Sequence, residues 1–477
     1  MANRQSLQKN TFENGLLWQT CATLTRLERK HAGLWLRSPF FCRREQPRIL
    51  FQYLNDCLES GVTPDAESAC LLLFGAGKSS ALKDLRLVMS ELLARIEHFL
   101  VYREKFEPPG DFDIRLAAAY RKRGLEKHFR QSLQSARVQW ARQPWRHAEY
   151  FDAQADIEYE LYQHLSAGRR TEALNLQALS DQTDTAYIAR KLRQACMALS
   201  HQTVYKAEYS FGLLDAVLEH VHRNESLQQA PAVGLYFYCY TFLTDPESEH
   251  FFLRFKTRLL DQQDHLPADE QRNLYLLAIN FCIRKINQSQ ARYSREALDL
   301  YRSALKAGLL LENGLLSHFA YNNIVAIALK VGDTDWVETF IHEYAPVLEK
   351  KHREASFHLN LARVEYARRN LKSSLLHLQQ ADYKDLINNL IAKTLQLKIY
   401  YETDEFDALD AHLQSMQTFI RRQRVIGYHK TNYLNIVRYA RRLMQLNPGN
   451  RQARESLRQQ IEGEAVLTEK EWFLQQV

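Results

Sequence analysis

The sequence predicts an all-α chain: a right-handed superhelical α-solenoid of about ten helical hairpins, preceded by a helical N-terminal region. Three observations predict it. Ser294-Arg-Glu-Ala297-Leu-Asp-Leu-Tyr301-Arg-Ser-Ala304-Leu sets small, aromatic and small residues at helical spacing, and the layout returns around Ser374, Leu378 and Ala381 and around Val337, Ile341 and Tyr344. Glycine (16) and proline (11) supply 27 of 477 residues, so turns are few and helices long. No stretch carries the two-residue alternation of a half-buried strand.

Residues 1–107 form a helical N-terminal domain. Its helices include Leu7–Lys30, with Leu16, Leu17, Trp18, Cys21 and Leu24 on one face, and Leu82–Lys105, with Leu85, Met89, Leu92, Leu93, Ile96 and Leu100 on one face. Glu107-Pro108-Pro109-Gly110-Asp111 ends the second of these and sets a domain boundary. The repeat region, 111–477, reads as helices at 112–130, 132–147, 151–166, 169–180, 183–201, 206–223, 231–243, 247–262, 268–286, 293–307, 315–331, 334–349, 352–369, 371–382, 385–402, 405–423, 428–446 and 449–462. Asp181 and Asp333 are expected as caps, Pro231 and Pro267 near first turns, and Gly168, Gly308 and Gly332 as stops.

The hairpins at 270–425 resemble the tetratricopeptide family of helix-turn-helix repeats. Leu361-Ala362, Ala381 and the turn near Asn370 match its small positions and its turn, and Ala297-Leu-x-x-Tyr301-x-x-Ala304-Leu matches its second helix. Ala297, Val337, Ser374 and Ala408, taken as equivalent, are 40, 37 and 34 residues apart. The first-helix tryptophan and tyrosine anchors are mostly missing. The whole pattern, with Asn280-Phe-Cys-Ile-Arg-Lys-Ile-Asn287, also resembles large helical-repeat proteins of bacteria. The resemblance implies a non-catalytic scaffold that binds a protein or peptide in a concave groove. Family positions that contact peptides fall on Asn322, Arg363, Tyr366, Lys393 and Tyr400. Ala326 stands where the family's carboxylate clamp has asparagine, so that clamp is not reproduced.

The net charge of +7 is uneven. Residues 115–146 hold nine cations (Arg115, Arg121, Lys122, Arg123, Lys127, Arg130, Arg137, Arg142, Arg146) against Glu126, and 417–442 hold seven (Arg421, Arg422, Arg424, Lys430, Arg438, Arg441, Arg442) and no acid. The groove's cationic rim suits a partner with an acidic surface. The alternative reading gives the basic patches to nucleic acid, with Phe419, Tyr428, Tyr433 and Tyr439 as stacking platforms. Set against it, the arginines pair with neighbouring acids and the aromatics, with Trp140 and Trp145, fill the core.

No catalytic constellation emerges. Gly75-Ala-Gly77-Lys78-Ser79-Ser80 ends like a phosphate loop, but Leu72 stands where the first glycine belongs and no Walker-B strand follows, so 75–80 reads as a loop between helices. An enzyme built on this degenerate loop is the remotest reading. His342-Glu343 fails as a zinc helix because Pro346 occupies the second histidine's place. Neither Glu160 with His164 nor His220 with His222 gathers enough ligands, so no metal and no cofactor is expected. Asn280, Arg284 and Asn287 share one helix face and are a polar candidate surface, or bridges between helices. Seven scattered cysteines read as reduced thiols, and a polar start with no membrane-length apolar run reads as cytoplasmic.

Overall fold

The computed structural model describes Phe12 and residues 15–76, 81–106, 110–168, 173–205, 207–245, 249–288, 290–422, 428–447 and 449–477. Helix makes up 80% of the chain. In chain order the helices are α1 (Leu16–Thr23), α2 (Arg26–Arg37), α3 (Gln46–Ser60), α4 (Ala66–Phe74), α5 (Ala81–Phe106), α6 (Asp111–Arg121), α7 (Glu126–Arg142), α8 (Ala148–Ser166), α9 (Leu176–Tyr205), α10 (Leu214–Arg223), α11 (Glu225–Gln229) and α12 (Pro231–Thr244). They continue as α13 (Glu249–Gln262), α14 (Ala268–Asn287), α15 (Tyr293–Lys306), α16 (His318–Val331), α17 (Thr334–Tyr344), α18 (Lys350–Ala367), α19 (Leu371–Gln379), α20 (Leu386–Glu402), α21 (Phe406–Arg422), α22 (Tyr428–Gln445), α23 (Arg451–Gly463) and α24 (Lys470–Gln476). Two compact units divide the chain: Met1–Gln143 with Glu149–Asp184, and Pro144–Ala148 with Thr185–Val477. The predicted boundary at 107–111 coincides with the break between α5 and α6, inside the first unit.

In the first unit α5 carries a continuous apolar stripe. Leu85, Val88, Leu92, Ile96 and Phe99 are each at most 3% exposed and pack with Leu17, Leu36, Leu50 and Leu54. A second core gathers Ile114, Phe129, Leu133, Trp140 and Ile157 from α6, α7 and α8. The expected helix Leu7–Lys30 is instead interrupted, and its residues 7–11 lie outside the described residues. Leu24 turns extended, and Thr25 caps α2 in a reciprocal box with Glu28. Thr25-x-x-Glu28 is the sequence signature of that start. In contrast, the expected break near Asp181 is absent. Asp181 lies inside α9, where its carboxylate accepts from Gln177 Nε2 at 2.8 Å one turn away.

In the second unit, helices from α12 onward pack in succession: α12 on α13, α14 on α15, α18 on α19 and α20 on α21. The first helices of neighbouring pairs also touch, α12 on α14, α16 on α18 and α18 on α20. Ala297 and Ala304 are fully buried, as are Val337 and Ser374, so these positions share the predicted environment. Ala408 does not: it is exposed, and the fully buried residue is Leu409. The pattern in α21 is therefore one residue out of the predicted register.

Leu315 does not start a helix. Leu311–Glu312 and Leu315–Leu316 form a minimal antiparallel hairpin closed by Asn313 (φ 52°) and Gly314 (φ 77°). Two consecutive left-handed residues make the tight hairpin turn that Asn-Gly favours. α16 then begins at His318 and is stopped by Gly332, whose φ of 85° puts it in the left-handed region.

Candidate functional site

Three buried asparagines of the second unit meet between α16, α18 and α20. Asn322 (5% exposed), Asn360 (0%) and Asn388 (1%) come one from each helix. Asn360 Nδ2 donates to Asn322 Oδ1 at 2.7 Å, and Asn322 Nδ2 donates to Asn388 Oδ1 at 2.8 Å. Asn360 Nδ2 also donates to the Ser356 carbonyl at 2.9 Å. Asp385 caps the start of α20 by accepting from the Asn388 backbone N–H at 2.9 Å. A buried amide left unbonded is costly, so this ladder fixes how the three helices register.

The ladder ends on Arg363. Its Nη1 donates to the Asn322 carbonyl at 3.1 Å and to Asn360 Oδ1 at 3.0 Å. Both acceptors are neutral. Burial presses the guanidinium below its ordinary value, against the pull of Glu469; arginine nevertheless stays charged at physiological pH.

Arg363 opens onto a cavity of about 400 Å³. Its polar lining is Lys330 of α16, Arg363 and Tyr366 of α18, Thr394 and Lys398 of α20, Tyr433 of α22, and Thr468 and Glu469 ahead of α24. Ala326, Leu329, Ala367, Ile391 and Leu395 complete the wall. Glu469 pairs with Lys398. Burial opposes ionisation of Glu469, but Lys398, then Arg363 and Lys330, outweigh it and hold the carboxyl below the usual range. Glu471 pairs with Lys330 at 3.1 Å on the rim. Tyr366 donates its hydroxyl to Glu402, which also accepts from Trp472 Nε1 at 2.7 Å. Burial, and then that hydrogen bond, push the Tyr366 phenol well up.

Of the groove positions implied by the family resemblance, Asn322, Arg363 and Tyr366 come together here. Lys393 and Tyr400 do not. They sit on the side of α20 away from Ile391, Thr394, Leu395 and Lys398, toward α21. Lys393 Nζ lies 5.9 Å from the Phe419 ring centroid, and the Tyr400 ring meets His412 edge-on at 5.7 Å. Asn280, Arg284 and Asn287 are elsewhere, on α14. Asn280 and Asn287 are exposed, whereas Arg284 is half-buried over Phe281 at 5.6 Å, with one buried Nη2 unbonded.

Sequence reasoning missed Lys330, Lys398, Asn360, Asn388 and Glu469. For Asn360 a signal existed. Ser356, Asn360 and Arg363 stand at i, i+4 and i+7, flanked by the buried Leu359 and Ala362, the same pattern that marks Asn280, Arg284 and Asn287.

The basic patches are engaged in part. In 115–146, Arg121 pairs with Glu160 at 2.8 Å, Arg137 with Glu158 at 2.9 Å, Arg130 with Glu126 at 2.8 Å and Arg115 with Asp156 at 3.5 Å. In 417–442, Arg438 pairs with Glu464, and Tyr433 and Tyr439 are 7% and 2% exposed in the core. Trp140 is likewise core at 6%, while Trp145 is 40% exposed. Arg424 and the Tyr428 side chain lie outside the described residues.

Residues 77–80 of the phosphate-loop string also lie outside the described residues. What precedes them is α4, a helix closed by Gly75, and not the buried strand such a loop needs. Among the described residues no group of three or more His, Cys, Asp or Glu is placed to hold a metal ion, and no helix is long and apolar enough to cross a membrane. The chain was compared with family models, curated proteins and solved structures, and none of them matches it.

Proposed function

We propose that the chain is a non-catalytic helical-repeat scaffold, a right-handed tetratricopeptide-like solenoid, that binds an acidic segment of a protein partner over the cavity between α16, α18, α20 and α22. One observation carries the reading. Lys330, Arg363 and Lys398 come from three successive first helices and converge on one cavity of about 400 Å³ with a single lining carboxylate, Glu469. Repeat architectures present such equivalent positions as a continuous row, and a cationic row selects acidic partners and speeds their arrival at low salt.

The nucleic-acid alternative draws less support, because four arginines of 115–146 are paired with carboxylates and Tyr433 and Tyr439 are core residues. The enzyme alternative loses its strand context to α4.

The test is an array of peptides of graded charge probed with the full-length protein at low and high salt, beside a Lys330→Gln, Lys398→Gln double variant. Binding should favour acidic peptides, fade with salt, and weaken in the double variant while its circular dichroism is unchanged. An array without charge preference, or a double variant that binds like the wild type, sinks the reading.

A further inference from the structure

Three cations line the cavity, but they are not equivalent. Lys398 is neutralised by Glu469 and Lys330 by Glu471 at 3.1 Å. These two carboxylates are fixed in place. The segment carrying them is tied down by Thr468 N–H to Asn432 Oδ1 at 2.8 Å and by Trp472 Nε1 to Glu402 at 2.7 Å, and its Trp472 and Phe473 are only 7% and 0% exposed. Displacing it would expose two large aromatic side chains, so the segment is a wall of the cavity and not a removable plug.

Arg363 is different. Its hydrogen bonds go to a carbonyl and an amide oxygen; among the described residues it makes no ion pair, and Glu469, bonded to Lys398, acts on it only from a longer distance. Burying a guanidinium without a counter-ion is costly. The fully buried asparagine ladder nevertheless holds it there, at the cavity floor, next to the Tyr366 and Tyr433 rings. The charges leave one cation over: three lining cations against Glu469 and Glu471.

Resting on the reading of the cavity as an acidic-partner site, we propose that Arg363 is the anchor for one carboxylate carried on an apolar or aromatic body, and that the Asn322–Asn360–Asn388 ladder positions it. The matching ligand group is a single acidic side chain entering the cavity, or a free organic acid of the same chemistry. The planar fork of arginine suits a carboxylate, and the walls of Ile391, Leu395, Tyr366 and Tyr433 suit the body that bears it.

The experiment is isothermal titration of the full-length protein with two probe pairs: 3-phenylpropionate and its amide, and a capped pentapeptide with a central glutamate between two phenylalanines and its glutamine counterpart. The acid member of each pair should bind and the neutral member should not. Arg363→Gln should weaken the acids by about tenfold or more, the loss of one charge-assisted hydrogen-bonding group, with Arg363→Lys between. Glu469→Gln keeps the shape of the wall, removes a like charge, and should tighten the acids by about threefold. Misfolding cannot produce that tightening.

Neutral probes that bind as well as acids, or an Arg363→Gln variant that binds like the wild type, overturn the proposal, as does a failure of both acids to bind wild type and Glu469→Gln at millimolar concentration. If the peptide fails while 3-phenylpropionate binds through Arg363, the anchor stands and the acidic-partner reading falls. If acidic peptides bind independently of Arg363, that reading stands and the anchor falls.

Discussion

The helices from α12 to α15 and those from α16 to α20 are the same kind of packed pairs, yet their interiors are filled in opposite ways. Between α12 and α15 the interior is mainly aromatic, with Glu270 and Lys285 as its buried charges, the first bonded to Tyr236 at 2.9 Å and the second over the Phe281 and Tyr293 rings. Phe242, Phe252, Phe255, Phe281 and Tyr293 are at most 1% exposed, and their ring centroids lie 4.8–5.7 Å apart in the pairs Phe242–Phe281, Phe252–Phe281 and Phe281–Tyr293. Between α16 and α20 the equivalent space holds three asparagines, Ser356 and the guanidinium of Arg363. An aromatic interior gains free energy from burial alone. A polar one only breaks even when every group is bonded. The first region therefore serves stability, and the second gives up stability for a defined geometry beside a cavity.

The largest test of that contrast is Phe281→Ala. Phe281 touches Phe242, Phe252 and Tyr293 and is 1% exposed, so truncation should cost about 3–5 kcal/mol. Denaturant unfolding measures it. A loss under about 1 kcal/mol would mean that the aromatic interior is loosely packed and that the contrast fails.

Next comes Asn360→Ala. It strands Asn322 Oδ1 and takes one acceptor from Arg363, and an unsatisfied buried group costs about 1–3 kcal/mol. The sharper reading is the pattern of two variants. Replacing Asn322, Asn360 and Asn388 together by leucine removes the stranded amides at once and leaves Arg363 short of the one acceptor, so the triple variant should cost less than the sum of the three single ones in the same unfolding assay, while the affinity for acidic peptides is lost. Additive losses with binding intact would show that the ladder does not position Arg363.

Why one region was legible and the other was not follows from these same residues. Ala297, Tyr301 and Ala304 are apolar at helical spacing, and periodicity alone places them in a core. Arg363 and Asn322 were reachable through their family positions. Asn388 and Glu469 carry no local signal, because what buries an asparagine or a glutamate is a partner 66 residues away, as for Asn322 and Asn388, or the Lys398–Glu469 pair joining α20 to a distant segment. Lys393 and Tyr400, named from the family resemblance, lie apart from the cavity, because the face of α20 turned to it runs through Thr394 and Lys398. The capping box at Thr25 was written locally but lay inside the expected helix Leu7–Lys30, and the expected helix 315–331 took in the second strand of the Asn313-Gly314 hairpin.

Acid should separate the two regions further. His318 stacks on His352 at 3.9 Å, with Asp385 at 4.0 Å; His358 faces His377; and His412 is bonded to the Lys393 carbonyl at 2.8 Å. Burial holds all three below the ordinary 6.5; a neighbouring histidine adds to it for His318 and His358, while for His412 the bond to the Lys393 carbonyl opposes it and the Lys393 charge adds to it. Glu349 and Lys351 also act on His318, in opposite senses, as does Glu354 on His358. A depressed folded value means that the unfolded chain takes up protons first. Stability is therefore whole above about pH 6.5 and declines as the pH falls below it. Hydrogen exchange from pH 7.5 to 5 should show protection fading in α16–α21 before α12–α15, and His318→Asn with His412→Gln should flatten the decline. Uniform fading across both regions would break the contrast.

The smallest effect belongs to the surface of the second region. Arg368 of α18 reaches Glu338 of α17 at 2.7 Å, with side chains 32% and 43% exposed. The bond holds the Glu338 carboxyl below its usual range, and burial is a minor opposing influence. Water and salt screen such a pair, so Arg368→Ala should cost about 0–1 kcal/mol, and less at high salt. This is the control for the region's polar chemistry. Arg363 lies on α18 and Arg368 caps its C-terminal end five residues on, and both are cations among polar neighbours. If position in the cavity is what matters, Arg368→Ala should leave the affinity for acidic peptides unchanged while Arg363→Gln removes it. Equal losses from the two variants, measured by titration at the same salt, would show that the helix attracts acidic partners by its summed charge, and that the ladder and the cavity add nothing to recognition.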